Sequence, residues 1–242
     1  MLFRSLAVCL LLTACQGKNS NVLLQNTSAQ NGVVGGEEIP YDHELTTKIL
    51  SLQSEFDGDT EYETKEIQCT ASAVGKKAIL TAAHCVFSDA FNTEIQLRDQ
   101  QGGIISVKGE RAFLPANQRN GKIDLALISL RDELPKDISV FAIPDFKTPL
   151  KLEKILAGGY GLDRNIEGNT GTTNVLRAVQ LNVLDYDINK KSFAVDQRWG
   201  QGVCQGDSGG PALTSFNGVN YIVGVLSQTL YFRNKDGHTN FC

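Results

Sequence analysis

Short apolar runs separated by turn-forming residues are the feature that most constrains the fold of this 242-residue chain. Such runs occupy residues 78–81, 125–128, 154–157 and 221–226, and turn signals lie between them at Gly102-Gly103, Asn120-Gly121, Gly168-Asn169 and Asn217-Gly218. Long stretches with helical periodicity are absent from the sequence. The pattern therefore predicts an all-β fold, a barrel or a sandwich, rather than an α/β fold.

Length and charge exclude several classes of protein. The length fits one large unit or a compact unit of two lobes. With 23 basic and 27 acidic residues the net charge is −4, and there is no basic run, so no nucleic-acid partner is predicted. No apolar stretch reaches the roughly 20 residues that a membrane-spanning helix requires, which excludes a multi-pass membrane protein.

The N-terminus has the pattern of a targeting segment. Arg4 precedes a short apolar core at residues 6–12, and the sequence from Leu12 to Cys15 resembles the lipobox of bacterial lipoproteins. The alternative is an ordinary secretory signal that contains a chance cysteine, and both predict export. We therefore expect a signal peptide at residues 1–14, a lipid on Cys15, and a polar tether or propeptide at residues 15–32. The expected location is a bacterial cell envelope, at the outer membrane or the periplasmic face, with release after cleavage near Val33 as a further option.

Cysteine usage points to disulfides. Of six cysteines, Cys9 would leave with the signal peptide and Cys15 would carry lipid. Four remain, namely Cys69, Cys85, Cys204 and Cys242, and they allow three connectivities. A zinc site is the alternative, but the sequence has no C-x-x-C motif and adjacent His84 and Cys85 cannot readily hold one ion. We predict no metal and no cofactor.

Three segments together indicate nucleophilic catalysis. His84 ends an apolar strand, Asp124 precedes another, and Ser208 lies in a glycine-rich loop. Each alone has an ordinary structural explanation. Together they supply a weak hydroxyl nucleophile, an imidazole base to activate it and a carboxylate to orient the base. A lipase or esterase would need the order serine, aspartate, histidine along the chain, and here the order is histidine, aspartate, serine.

These segments resemble the trypsin/chymotrypsin family of serine proteases. The matching motifs are Thr81-Ala82-Ala83-His84-Cys85, Asp124-Leu125-Ala126-Leu127, Gly206-Asp207-Ser208-Gly209-Gly210-Pro211 and Val33-Val34-Gly35-Gly36. The resemblance covers residues 33–242. It implies two six-stranded antiparallel β-barrels, at about residues 33–140 and 150–242, with the active site in the cleft between them, and it implies a protein or peptide substrate.

The resemblance also implies roles for individual residues. His84 would be the general base, Asp124 its orienting carboxylate and Ser208 the nucleophile, with the Gly206 and Ser208 amides as the oxyanion hole. The other implied features are Ser227 as support for Asp124, an activation ion pair between Val33 and Asp207, and a disulfide between Cys69 and Cys85.

Departures from the family concern the specificity pocket. By the resemblance its base would be Gly202, whereas family members that cleave after arginine or lysine need a carboxylate there. Val203 and Thr229 would line and narrow the pocket, and Gln228 replaces the family's tryptophan. The prediction is cleavage after small or medium uncharged residues.

The C-terminal region departs further from the family. The final strand and helix of the second barrel have no counterpart before Cys242, so we expect that barrel to be truncated. Cys242 would be the partner of Cys204, or Cys204 would be unpaired. The leading interpretation is a monomeric serine endopeptidase. The alternative is an inactive pseudoprotease, or a truncated gene product that keeps the fold as a binding module.

Overall fold

The computed structural model describes residues 33–57, 64–86, 92–99, 102–115, 123–145, 152–162, 175–187, 191–197 and 201–228. Within these residues the chain forms twelve β-strands and one three-residue 3-10 helix, which confirms the all-β prediction. None of the described helical segments is long and apolar enough to cross a membrane. The predicted signal peptide, tether and lipidated Cys15 lie outside the described residues.

Six strands close into an antiparallel barrel. They are β2 (Ile49–Asp57), β3 (Thr64–Gly75), β4 (Ala78–Thr81), β5 (Thr93–Arg98), β6 (Ile104–Phe113) and β7 (Ala126–Leu130), in the order β2-β3-β4-β7-β6-β5 with β5 returning to β2. Side chains alternate between the core and the outside, as period-two strands require, most clearly in β5. Leucine and isoleucine therefore fill the interior, among them Leu52, Ile79, Ile95 and Ile128. Closure leaves no exposed strand edge in this lobe.

The remaining strands form a second sheet. They are β1 (Glu37–Glu38), β8 (Lys154–Gly159), β9 (Arg177–Asp187), β10 (Ser192–Val195), β11 (Pro211–Phe216) and β12 (Val219–Val225). The order is β1-β9-β8-β11-β12, and β10 pairs with the far end of β9. Within the described residues this sheet does not close on itself. Closure of the second barrel and its truncation both remain predictions.

The boundary between the lobes differs in one respect from the expectation of a first barrel starting near Val33. Strand β1 pairs with β9, so Glu37 and Glu38 belong to the second sheet, and the closed barrel begins at Ile49. The physical reason is the burial of Val33, which is 1% exposed and packs in the core of the second sheet with Ile155 and Val179. The described part of the chain thus begins on the second lobe and then continues into the closed barrel.

A third apolar cluster joins the two lobes. Ile49 of the barrel packs with Tyr160, Leu213 and Ile222, which belong to the second lobe. The β11–β12 hairpin turns at Asn217 and Gly218, both with positive φ (51° and 76°), which confirms the turn predicted there and is typical of a type I′ hairpin. We call the boundary between the two lobes the seam. At the seam, β4, the segment before β7 and the loop before β11 lie side by side.

Candidate active site

His84 sits in a short 3-10 turn directly after β4. The turn spans Ala83–Cys85, and both end residues are buried while the His84 side chain is 45% exposed. A disulfide joins Cys85 to Cys69 of β3. The turn that carries the imidazole is therefore fixed to the barrel by β4 before it and by the disulfide after it.

Asp124 binds His84 through two hydrogen bonds. The carboxylate accepts from the His84 backbone amide at Oδ1 (2.9 Å) and lies 2.7 Å from the ring Nδ1 at Oδ2. Ser227 donates its hydroxyl to the same Oδ2. With Nδ1 donating to the carboxylate, the neutral ring carries its free lone pair on Nε2, which is the arrangement a general base needs.

Charge at Asp124 is stabilised by these donors. Burial by itself raises the pKa of the carboxyl group, but the hydrogen bonds from the His84 ring, the Ser227 hydroxyl and the His84 amide outweigh it and lower the pKa from 3.8 to about 2. The carboxylate is therefore ionised at neutral pH, ready to stabilise a positive charge on the imidazole.

Ser208 lies next to this network without joining it. Its carbonyl oxygen accepts a hydrogen bond from the Thr70 amide (2.8 Å) and contacts the Cys85 sulfur at 3.7 Å, beside His84. Its Oγ lies 3.5 Å from the Ser227 carbonyl oxygen, at the outer limit of a hydrogen bond. Among the described residues no hydrogen bond joins Ser208 to His84. The structure thus brings together four predicted residues, namely His84, Asp124, Ser208 and Ser227. The hydrogen bond between Ser208 and His84 is the predicted contact that the described residues do not make.

The backbone around Ser208 presents two amides. The Gln205 carbonyl accepts from the Leu162 amide (2.8 Å) and the Asp207 carbonyl accepts from the Gly210 amide (2.9 Å). In a trans peptide the N–H points opposite to the carbonyl, so the amides of Gly206 and Ser208 are directed away from these partners. Neither amide donates a hydrogen bond within the described part of the chain. Such a pair can bind an oxyanion.

Asp207 is buried, with backbone amides as its hydrogen-bond donors. Its two carboxylate oxygens accept from the amides of Gly161 and Cys204, each at 2.8 Å. Desolvation raises the pKa of this group from 3.8 to about 7, although the two amides and the charge of Arg177 lower it in part. No hydrogen bond from Val33 reaches Asp207 in the described residues, as expected while the chain continues before residue 33.

Gly159 and Gly161 enclose the same carboxyl group. A Cβ atom at Gly159 would overlap the Asp207 carboxylate, and one at Gly161 would lie 2.6 Å from its Oδ1. Only glycine fits at both positions. The sequence shows a glycine-rich run here, but nothing in it indicates that the run surrounds a buried acid.

The base of the predicted specificity pocket contains a residue that the sequence did not reveal. A Cβ atom at buried Gly202 would overlap the side-chain amide of Gln197, whose Oε1 accepts from the Val203 amide (2.6 Å). The Gly202 amide donates to the Val34 carbonyl (2.8 Å). Gln197 therefore fills the space over Gly202. No motif marks it, because its role depends on how the chain folds back after β10.

The remaining predicted residues fall into three groups. Thr229 and Cys242 lie outside the described residues. Cys204 is buried and disulfide-bonded, and since Cys69 and Cys85 pair with each other, its partner also lies outside them. Cys69, His84 and Cys85 have potential metal-ligand atoms within 4.8 Å of one another, but both thiols are consumed by the disulfide, so this cluster does not fit a metal.

Comparisons with known proteins show the family of this chain. The sequence model described as "Trypsin" matches residues 45–241. The chain is 24% identical to the proclotting enzyme of Tachypleus tridentatus over 202 residues, which are 67% of this chain and 52% of that protein. It is 28% identical to the cercarial protease of Schistosoma mansoni over 198 residues (71% and 74%) and 25% identical to brachyurin of Leptuca pugilator over 168 residues (63% and 73%). The chain thus spans about half the length of the proclotting enzyme and about three quarters of the other two.

Proposed function

The chain belongs to the trypsin family of serine proteases, and on that premise we propose that it is a serine endopeptidase in which Ser208, His84 and Asp124 do the chemistry. The observation that carries the proposal is the hydrogen-bonded pair of Asp124 and the His84 ring, at 2.7 Å, directly beside Ser208. A binding module has no need for an ionised carboxylate behind an imidazole next to a serine hydroxyl.

The proposed reaction has two stages. The Ser208 Oγ attacks the peptide carbonyl carbon while His84 Nε2 takes the hydroxyl proton, and Asp124 stabilises the resulting imidazolium. The Gly206 and Ser208 amides bind the oxyanion. His84 then gives its proton to the leaving amine, the C–N bond breaks and an acyl-enzyme remains. Water repeats the sequence with the same base and releases the acid.

For specificity we propose small or medium uncharged residues before the cleaved bond. The base of the pocket offers Gly202 and the Gln197 amide rather than a carboxylate. A buried lysine or arginine side chain would have no opposite charge there, and burial of an unpaired charge costs several kcal/mol. Val203 and Thr229 would narrow the pocket further.

For activation we propose cleavage between Gly32 and Val33. Val33 is buried with φ of +32°, a conformation that a β-branched residue rarely adopts, and cutting the preceding bond removes that torsion. The new ammonium would pair with Asp207, whose buried carboxyl has no ion pair with residue 33 in the uncut chain. The residues before the bond, Asn31 and Gly32, are not the arginine or lysine that a trypsin would cut.

For location we propose a lipid on Cys15 and attachment to a bacterial cell envelope. The lipobox-like sequence from Leu12 to Cys15 supports it, and Gln16 in place of aspartate favours the outer membrane. A Cys15→Ser variant should move from the membrane fraction to the soluble fraction. Unchanged partitioning would contradict the anchor.

Labelling by a fluorophosphonate tests the endopeptidase proposal. The chain is prepared with a recognition sequence for a site-specific protease directly before Val33 and is labelled after cleavage. We expect one adduct on Ser208, no adduct in Ser208→Ala, and strongly reduced labelling in His84→Ala. A folded, correctly cleaved chain that is not labelled would instead support the inactive pseudoprotease.

A further inference from the structure

We infer that Thr70 is a positioning residue, which holds the peptides around Ser208 through its side-chain hydroxyl. The inference rests on the proposed endopeptidase function and deepens it. Thr70 follows the disulfide-bonded Cys69 in β3 of the closed barrel, and it is completely buried. Ser208 belongs to the other lobe, so any contact between the two residues crosses the seam.

Thr70 contacts the nucleophile loop at both ends. Its Oγ1 donates a hydrogen bond to the Gly206 carbonyl (2.8 Å), and its backbone amide donates to the Ser208 carbonyl (2.8 Å). The same Oγ1 accepts from the Tyr160 amide (3.1 Å), which follows β8. One hydroxyl therefore links the barrel, the end of β8 and the loop that carries the nucleophile.

These contacts set the direction of the Gly206 amide. Gly206 joins two peptides, and the carbonyl of the first, from Gln205, is held by the Leu162 amide. The carbonyl of the second, from Gly206 itself, is held by Thr70. With φ at +91°, Gly206 has no side chain to limit rotation. The Thr70 hydroxyl supplies that limit together with the Asp207 amide, which donates to the Cys204 carbonyl (3.1 Å), because these two bonds hold the second peptide while Leu162 holds the first. With both peptides held, the Gly206 N–H stays directed towards the position of the oxyanion.

Removing the hydroxyl has a local consequence. Valine at position 70 has nearly the same shape as threonine, but it leaves the Gly206 carbonyl and the Tyr160 amide without their partner. The Gly206–Asp207 peptide then keeps only the hydrogen bond from the Asp207 amide to the Cys204 carbonyl (3.1 Å), so it rotates more easily about Gly206 and the direction of the Gly206 N–H is held less firmly. Serine at position 70 keeps the hydroxyl and with it both hydrogen bonds. The two substitutions therefore separate the hydroxyl from the volume of the side chain.

The matched control is Thr93. It is also a buried threonine of the first barrel, 2% exposed, and its hydroxyl bonds the Ser54 hydroxyl (3.1 Å) between β2 and β5. Thr93→Val removes a buried hydroxyl of the same kind from a place without contact to the nucleophile loop. It reports how far a loss of barrel stability alone affects turnover.

Steady-state kinetics of a peptide amide substrate test the inference, with each full chain cleaved before Val33 at the engineered site. We expect Thr70→Val to lower kcat about 10- to 100-fold with KM changed less than about twofold, since loss of a whole oxyanion donor costs about 10²–10³. Binding of a peptide aldehyde, whose adduct oxygen occupies the oxyanion position, should weaken by the same factor. Thr70→Ser should stay within about threefold of the parent, and Thr93→Val should lower the unfolding temperature but leave kcat unchanged.

Four outcomes would overturn the inference. They are parental kcat in Thr70→Val, an equal loss in Thr70→Ser, an equal loss in Thr93→Val, and a change confined to KM. If Thr70→Val does not fold, Thr70→Ala provides the same comparison. A parent chain without Ser208-dependent turnover would overturn the endopeptidase proposal, and this inference with it, whereas an active parent with an equally active Thr70→Val overturns the inference alone.

Discussion

Asp124 and Asp207 are both shielded carboxylates beside Ser208, yet their pKa values move in opposite directions. Asp124 receives hydrogen bonds from His84 and from Ser227, and its pKa falls to about 2. Asp207 is more deeply buried, receives hydrogen bonds only from backbone amides, and its pKa rises to about 7. The difference lies first in burial: at Asp207 complete desolvation outweighs the two amides and the charge of Arg177, whereas at the partly buried Asp124 the hydrogen bonds from His84 and Ser227 outweigh desolvation.

This contrast supports the proposal that the two halves of the site are at different stages of assembly before cleavage at Val33. The half with His84 and Asp124 already has its hydrogen bonds and its charge. The half with Asp207 and Ser208 holds a buried acid whose pKa is far above its usual value, which a nearby positive charge would reverse. On the account proposed here, the N-terminal ammonium of Val33 is that charge.

The largest effect should come from the assembled half. Asp124→Asn keeps the shape of the side chain but offers Nδ2–H donors, which disfavour the tautomer that leaves Nε2 as base. We expect kcat of the cleaved chain to fall about 10⁴-fold. Kinetics on a peptide substrate measure it, with exposed Asp132→Asn as the control. A loss below tenfold would mean that Asp124 does not orient the base.

The second effect concerns Asp207 in the uncut chain. Because its folded pKa of about 7 exceeds the unfolded value of 3.8, the folded state binds the proton more tightly, so its stabilisation is greatest at low pH and is lost as pH rises towards 7. The free energy of unfolding should fall by about 1.4 kcal/mol per pH unit within that window, on the order of 4 kcal/mol in all.

Denaturant unfolding of the uncut chain between pH 4 and pH 7, with and without Asp207→Asn, measures this slope. The substitution should remove most of it, and the exposed Asp132→Asn should not. Cleavage before Val33 should also reduce the slope, because the ammonium favours the charged form. An identical slope in all forms would show that Asp207 is not the titrating group.

The third effect concerns the pocket. Gln197→Glu retains an oxygen for the Val203 amide and places a carboxylate over Gly202. We expect the preference for arginine or lysine before the cleaved bond to rise about 10- to 100-fold, in line with a charge-assisted hydrogen bond. A peptide-library profile measures it, and Gln96→Glu on β5 serves as the control. An unchanged profile would place Gln197 outside the pocket.

The smallest effect should come from Ser227→Ala. The variant loses one of the donors to Asp124 but keeps both bonds from His84. We expect kcat to fall tenfold or less, because one hydrogen bond to a charged group contributes about 1.5–3 kcal/mol, shared here among several donors. The pKa of Asp124 should rise, because one of the donors that lower it is lost. A fall in kcat as large as that of Asp124→Asn would contradict the expectation that Ser227 contributes much less to turnover than Asp124.

The sequence predicted those parts of the molecule that depend on local patterns. The run 78–81 is strand β4 as observed, and the Asn217-Gly218 turn forms because both residues tolerate positive φ. The segments around His84, Asp124 and Ser208 were recognisable because their short local motifs resemble those of the trypsin/chymotrypsin family. The strand pairing of Glu37 and Glu38 with β9 was not, because nothing in a two-residue strand specifies a partner.

The contacts that cross the seam were also beyond sequence reasoning. Thr70 looks like an ordinary strand residue until the Gly206 carbonyl is placed on its hydroxyl. Gln197 looks like part of a loop until it folds over Gly202. Both roles arise from residues far apart in the chain, and their side chains carry no special chemistry of their own.

The rate of fluorophosphonate labelling of Ser208, in the uncut chain and after cleavage before Val33, tests the central claim most directly. Intact mass identifies the adduct and N-terminal sequencing identifies the cut. If the new ammonium completes the half of the site around Asp207, cleavage should raise the rate about 10²- to 10⁴-fold, the equivalent of about 3–5 kcal/mol for a buried ion pair. Equal rates for the two forms, with Val33 shown to be the new N-terminus, would contradict the account.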